Sequence, residues 1–152
     1  MRLPLSYKKQ NEKEDNKNEK PLAKLLVVDD DSDIGHVIKR SLAKNRFLVD
    51  AFTDSEEALQ NFQSYPKDHY CLMLSDIRMP GMSGIQLARR VKQINPNVKV
   101  ILMTSFEIKE NEFSKVFPST QVDGFVQKPV HLEGLTNKIL DTIGEIKRRV
   151  NE

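Results

Sequence analysis

A chain of 152 residues, 38% hydrophobic and 30% charged, has room for one folded domain with a tail and enough apolar content for a core. The net charge of +2 is uneven: Met1–Lys24 holds seven Lys/Arg against four Asp/Glu, leaving a weakly acidic body that offers nucleic acid few phosphate contacts. Apolar runs such as Leu25–Val28 fall far short of the roughly 18 residues of a membrane span, residues 1–20 contain no signal-peptide h-region, and the lone Cys71 cannot form an internal disulfide, so the expectation is a cytoplasmic protein without membrane insertion.

Residues 1–23 read as a disordered polar, basic tail and 24–150 as the folded domain. From there apolar runs alternate with stretches of helical period. The first strand is LLVV (25–28), followed by a helix over Asp33–Lys44 with Ile34, Val37, Ile38 and Leu42 on one face. FLVDAF (47–52) is the second strand; Asp54 and Glu57 predict a capping box for a helix over Ser55–Gln63. YCLML (70–74) precedes a helix over Gly84–Ile94, and VKVILM (98–103) a fourth helical segment over Ile108–Phe117 closed by Pro118. GFVQ (124–127) and a last helix over Leu132–Val150 complete the series. Five βα repeats require parallel strands with right-handed crossovers, hence a doubly wound α/β sandwich. Functional groups of such sheets gather beyond the carboxyl ends of the strands, where strand order reverses.

Those ends carry chemistry. The first strand runs into Asp29, Asp30 and Asp31, carboxylates whose mutual repulsion a hard divalent cation such as Mg²⁺ would offset. Helix capping is the plainer use of Asp31 or Ser32. The third strand leads to Asp76 ahead of the loop IRMPGMSG, where an aspartate serves as metal ligand, nucleophile or simple turn former. The fourth ends at Thr104 and Ser105 and the fifth at Lys128-Pro129, a hydroxyl and an ammonium suited to an anion held beside the acids.

LLVVDDDSDI, FTDSEEAL, LMLSDIRMPGMSG, VILMTS and GFVQKP, in order and spacing, resemble the response-regulator receiver domains of two-component signalling, and the likeness covers about Lys24–Lys147. The resemblance implies a flavodoxin-like three-layer sandwich with strand order 2-1-3-4-5. It implies Asp76 as phosphoacceptor, and Mg²⁺, with Mn²⁺ as a substitute, held by Asp30, Asp29, Asp76 and the backbone carbonyl of Arg78. Thr104 would bind the phosphoryl group, Lys128 would pair with carboxylate or phosphoryl oxygens, and Phe125 matches the aromatic switch position, where it lacks the hydroxyl of a tyrosine. Implied partners are a sensor histidine kinase or phosphotransfer protein upstream. Downstream they are a protein target or a second copy, met through the face of the fourth helical segment, fifth strand and last helix. The expected protein is thus a single-domain switch and not a turnover enzyme.

Two other readings compete. A haloacid-dehalogenase-type phosphatase would need Asp-x-Asp-x-Thr/Val after the first strand; Asp29 and Asp31 fit, but Asp33 falls where Thr or Val is required. A phosphorylation-independent interaction module would have no need of the acidic pair, Asp76, Thr104 and Lys128 together. His36, His69 and His131 sit in no phosphoacceptor box or metal spacing and read as ordinary surface or partly buried residues.

Overall fold

The computed structural model describes residues 20–105 and 120–150, with side chains described up to Gly144. The helical segment expected over 108–117, its closure by Pro118 and the charges on it lie outside the described residues. Along the chain run β1 (Ala23–Val28), α1 (Ser32–Lys44), β2 (Phe47–Phe52), α2 (Ser55–Ser64) and β3 (Leu72–Asp76). They are followed by α3 (Gly84–Ile94), β4 (Lys99–Thr104), β5 (Gly124–Gln127) and α4 (Leu132–Val150). All strands pair in parallel in the order β2-β1-β3-β4-β5.

The sheet's two faces are separated by strand alternation. Leu25 and Val27 of β1, Leu72 and Leu74 of β3, and Ile101 and Met103 of β4 turn to the side covered by α1 and α4. Leu26, Val28, Met73, Val100 and Leu102 turn to the side covered by α2 and α3. Every one of these side chains is fully buried, which is why the strands read as continuous apolar runs rather than as an alternation with polar residues.

Helix starts follow local hydrogen-bonding chemistry. Asp31 caps α1 by accepting from the Asp33 N–H, and Asp54 caps α2 by accepting from Glu56 N–H. The reciprocal box expected between Asp54 and Glu57 is therefore not the bond that forms; a capping box does form between Ser83 and Gln86 at the start of α3. Val37, expected on the buried face of α1, is 52% exposed, because at 100° per residue it sits on the flank of the Ile34–Ile38–Leu42 stripe. The third strand is shifted two residues toward its carboxyl end, so that Asp76 closes it and Tyr70 precedes it.

Toward the amino ends of the strands, Tyr70 donates to Asp50 at 2.5 Å and accepts from Asn61 at 2.5 Å, while Lys24 pairs with Asp50 at 3.0 Å. Burial pushes the Tyr70 hydroxyl well above its usual pKa, and the Asp50 hydrogen bond adds to this. Burial would raise the Asp50 carboxyl, but the Tyr70 and Lys24 bonds reverse the effect and hold it below its usual range. His69, partly buried, stacks on Tyr65 at 3.9 Å.

Candidate functional site

β1 and β3 are neighbours at the point where strand order reverses, and each delivers acid at its carboxyl end. The last apolar residue of β1 is Val28; the chain then leaves the sheet through Asp29, whose N–H still donates to Phe52 at 3.0 Å. That bond fixes Asp29 inside the protein, 1% exposed, while Asp30 turns to solvent. Asp29 accepts from the Asp31 N–H at 2.9 Å through one oxygen and from the Lys128 ammonium at 3.0 Å through the other. Asp76, at the end of β3, lies 3.3 Å from the same ammonium. One carboxylate oxygen each from Asp29, Asp30 and Asp76 lie within 4.8 Å of one another.

Lys128 directly follows β5, which among the described residues pairs with β4 alone. Its N–H donates to the Thr104 carbonyl at 2.7 Å, tying the ends of β4 and β5 together, and the peptide bond to Pro129 is cis. Thr104 is buried and Ser105 exposed. Phe125, opposite Leu102, is half-buried against the core on the α2–α3 side. Arg78 stands two residues beyond Asp76 in the following loop, its side chain exposed.

The loop after Asp76 is tightly held. Gly84 opens α3 with its N–H on the Ile77 carbonyl at 2.8 Å, and a Cβ there would lie 2.0 Å from the backbone oxygen of Asp76. Only glycine allows this approach. Gly81 supplies the positive φ of 75° that turns the loop, and Ser55 of α2 donates to the Met82 carbonyl at 2.8 Å. Sequence reading singled out the glycines only as loop formers; nothing in the residue pattern reveals that Gly84 abuts the carbonyl of Asp76.

Charge in the site is unbalanced. Burial pushes the Asp76 carboxyl above its ordinary pKa; Lys128 works against the shift, while Asp29 and Asp30 add to it. Burial also opposes the Lys128 ammonium, but the hydrogen bond and charge of Asp29, and then those of Asp76, more than reverse it and leave Lys128 above its usual value. One ammonium among three carboxylates leaves net negative charge directed at an opening where Asp30 is exposed. Three hard oxygen donors of this kind, one of them solvent-facing, suit Mg²⁺, which keeps several of its waters and needs few carboxylates. Asp29, Asp30, Asp76, Thr104 and Lys128 are thus gathered at one sheet edge, with Arg78 on the adjoining loop and Phe125 one strand away. Asp33, the position that a dehalogenase-type pattern would need as Thr or Val, is exposed in the first turn of α1.

A parallel five-stranded sheet in this order, with acids at its switch point and a lysine from its last strand, defines a receiver-type α/β protein. The family model for the response regulator receiver domain matches residues 25–140, and the chain belongs to that family. The response regulator receiver protein CpdR of Brucella abortus is 33% identical over 119 residues, an alignment covering 78% of this chain and 94% of CpdR. The DNA-binding transcriptional regulator NtrC of Escherichia coli is 43% identical over 79 residues, covering 52% of this chain but 16% of NtrC. Among solved structures, a response regulator receiver domain protein from Clostridium thermocellum superposes with a TM-score of 0.73 at 29% identity, covering 83% of this chain and 98% of that one. Receiver domains bind Mg²⁺ at an acidic pocket and, as a family, work with histidine kinases and downstream targets in two-component signalling. Among the described residues no helix is long and apolar enough to cross a membrane.

Proposed function

We propose that this chain is a phosphorylation-dependent switch that accepts a phosphoryl group on Asp76 from a sensor histidine kinase or phosphotransfer protein. The observation that carries the reading is the convergence of Asp29, Asp30 and Asp76 with the Lys128 ammonium between two of them. In the transfer a carboxylate oxygen of Asp76 forms a bond to phosphorus as the bond from phosphorus to the donor's imidazole nitrogen breaks, the electron pair leaving with the imidazole. Nucleophile and phosphoryl group are both anionic, so the barrier is largely one of charge and position. Lys128 neutralises charge from the β5 side, and the small Ser105 leaves room for the donor ring. Asp29, Asp30 and Asp76, with the Arg78 carbonyl, would hold Mg²⁺ or Mn²⁺, which supplies further positive charge to the phosphoryl oxygens.

Phosphorylation brings roughly two negative charges and new acceptors. The Thr104 hydroxyl bonds one of these oxygens, and Phe125 moves by packing alone, since it has no hydroxyl to donate. The change reaches the surface of β5, α4 and the segment between β4 and β5, which meets a protein target or a second copy. The domain turns over no substrate. Exposure to acetyl phosphate and Mg²⁺ tests the reading: one phosphoryl group per chain is expected, and its persistence in Asp76→Ala would overturn the assignment. For the output face, beryllofluoride should change amide exchange over residues 122–126. Changes confined to α1 and α2 would rule that face out.

A further inference from the structure

The first residue of α2 carries a hydroxyl that its own helix does not use. Asp54 caps α2 by accepting from the Glu56 N–H, while Ser55, 1% exposed, donates to the Met82 carbonyl at 2.8 Å, 27 positions along the chain. That carbonyl belongs to the loop joining Asp76 to α3. On the other side of the same peptide the Ser83 N–H donates to the Gln86 side chain at 3.0 Å, so the Met82–Ser83 peptide is held at both ends. α2 in turn is seated on the sheet by Ala58, Leu59 and Phe62, all buried. A small polar side chain thus links a helix fixed on the core to a loop of the candidate site.

The loop is fastened at its start as well. The Ile77 N–H donates to the Met103 carbonyl at 3.2 Å, and the Ile77 carbonyl accepts from the Gly84 N–H at 2.8 Å. Between the Ile77 and Met82 anchors lie four residues, Arg78, Met79, Pro80 and Gly81, the first of which carries the carbonyl proposed as a metal ligand. On its outer flank the loop borders an open cleft of about 450 Å³, where Gly81 and Met82 face Glu56 and Gln86. Packing on that side cannot stand in for a lost hydrogen bond.

We propose that Ser55 is a positioning residue for Mg²⁺, its hydroxyl fixing the loop that presents the Arg78 carbonyl to the ion. This rests on the reading of Asp29, Asp30, Asp76 and the Arg78 carbonyl as the metal's ligands. A ligand already held in place loses little conformational freedom when the ion binds, so the hydroxyl strengthens binding without touching the metal. Removing a group that bonds a metal ligand directly weakens affinity by about ten- to a hundredfold. Ser55 acts one step further out, through Met82, and its removal should weaken affinity by about fivefold.

Isothermal titration calorimetry of the metal-free full chain with Mg²⁺ compares wild type, Ser55→Ala and Phe62→Leu. Phe62 is buried toward the other end of α2 and stacks on Tyr70, so its variant loses stability without loosening the loop. Ser55→Ala should bind Mg²⁺ about fivefold more weakly, and Phe62→Leu within about twofold of wild type. In metal-free protein the amides of residues 78–83 should exchange about fivefold faster in Ser55→Ala than in the other two, the factor that one lost hydrogen bond gives an opening equilibrium. Acetyl phosphate labelling of Ser55→Ala should be slow at low Mg²⁺ and match wild type at saturation. Wild-type Mg²⁺ affinity or wild-type loop exchange in Ser55→Ala would overturn the proposal, as would a loss of affinity shared by Phe62→Leu or a labelling deficit that persists at saturating Mg²⁺. A wild type that takes up no Mg²⁺ would overturn the metal assignment and this proposal with it, a result distinct from a wild type that binds the ion as well as its Ser55→Ala variant does.

Discussion

Replacing Gly84 with alanine adds one methyl group where the packing has no space. The new Cβ lies 2.0 Å from the Asp76 carbonyl oxygen and 2.9 Å from its carbon, and both are backbone atoms of a buried strand end. To reach ordinary contact, α3 or the Asp76–Ile77 peptide must retreat by more than 1 Å. That retreat breaks the 2.8 Å bond from the residue 84 N–H to Ile77 and disturbs Leu87, Ala88 and Val91, all buried beneath the helix. Overpacking of this kind costs about 1–3 kcal/mol, and one strained backbone hydrogen bond adds about 1 kcal/mol. The expected loss is about 3 kcal/mol, or roughly 10 °C in Tm for a domain of this size. Thermal and urea unfolding followed by circular dichroism measure it, with Gly35→Ala as the control: Gly35 is buried in α1 with nothing within 4 Å of a built Cβ, so that variant should gain about 0.5–1 kcal/mol. Because the clash is with Asp76 itself, acetyl phosphate labelling of Gly84→Ala should slow as well. If Gly84→Ala unfolds with the wild type, the close approach of α3 to the site is wrong.

Without Mg²⁺, Asp76→Asn should raise Tm by a few degrees, on the order of 1 kcal/mol; burial and the neighbouring acids hold the Asp76 pKa up, so its ionisation costs stability as pH rises through the folded value, and a Tm below wild type at pH 7 would contradict this. Mg²⁺ should bind with a Kd between tens of micromolar and millimolar, as partly hydrated sites with few carboxylates do; Asp30→Asn titrating like wild type would place the metal elsewhere. Tyr70→Phe removes a donor from Asp50 and should cost about 1–2 kcal/mol at pH 7. Asp50 is held low, so its contribution is present above the ordinary aspartate value and lost as pH falls through the folded one. The gap between Tyr70→Phe and wild type should therefore narrow below about pH 4, and a gap that widens in acid would refute the network.

The βα alternation was legible because buried parallel strands are short apolar runs and their helices carry apolar stripes; the bounds of β2, α3, β5 and α4 are read directly from the residues. So was the gathering of Asp29, Asp30, Asp76, Thr104 and Lys128, since a doubly wound sheet sends every strand's carboxyl end to the same edge. The misplaced limits of β3 have a physical cause: Tyr70 and Cys71 continue the apolar run, but Tyr70 is held by Asp50 and Asn61 outside the ladder. Pairings between residues distant in sequence left no local trace. Lys128 reaches Asp29 across 99 positions, and Asp123 gathers Lys92, Lys99 and the Val100 N–H from two elements. The Ser83–Gln86 box was visible as S-x-x-Q, but the stronger acidic pair at Asp54 and Glu57 drew the prediction instead.

In the proposed transfer the Asp76 carboxylate itself forms the bond to phosphorus. An acyl phosphate, unlike a phosphoserine or a bound phosphate ion, is reduced by borohydride to an alcohol, which turns a phosphorylated aspartate into homoserine. The chain is treated with acetyl phosphate and Mg²⁺, quenched with borohydride, digested and sequenced by tandem mass spectrometry. Homoserine at position 76, absent when Mg²⁺ is omitted and absent in Asp30→Asn, is the predicted result; homoserine at Asp29, Asp30 or Asp31 with Asp76 intact would contradict the account.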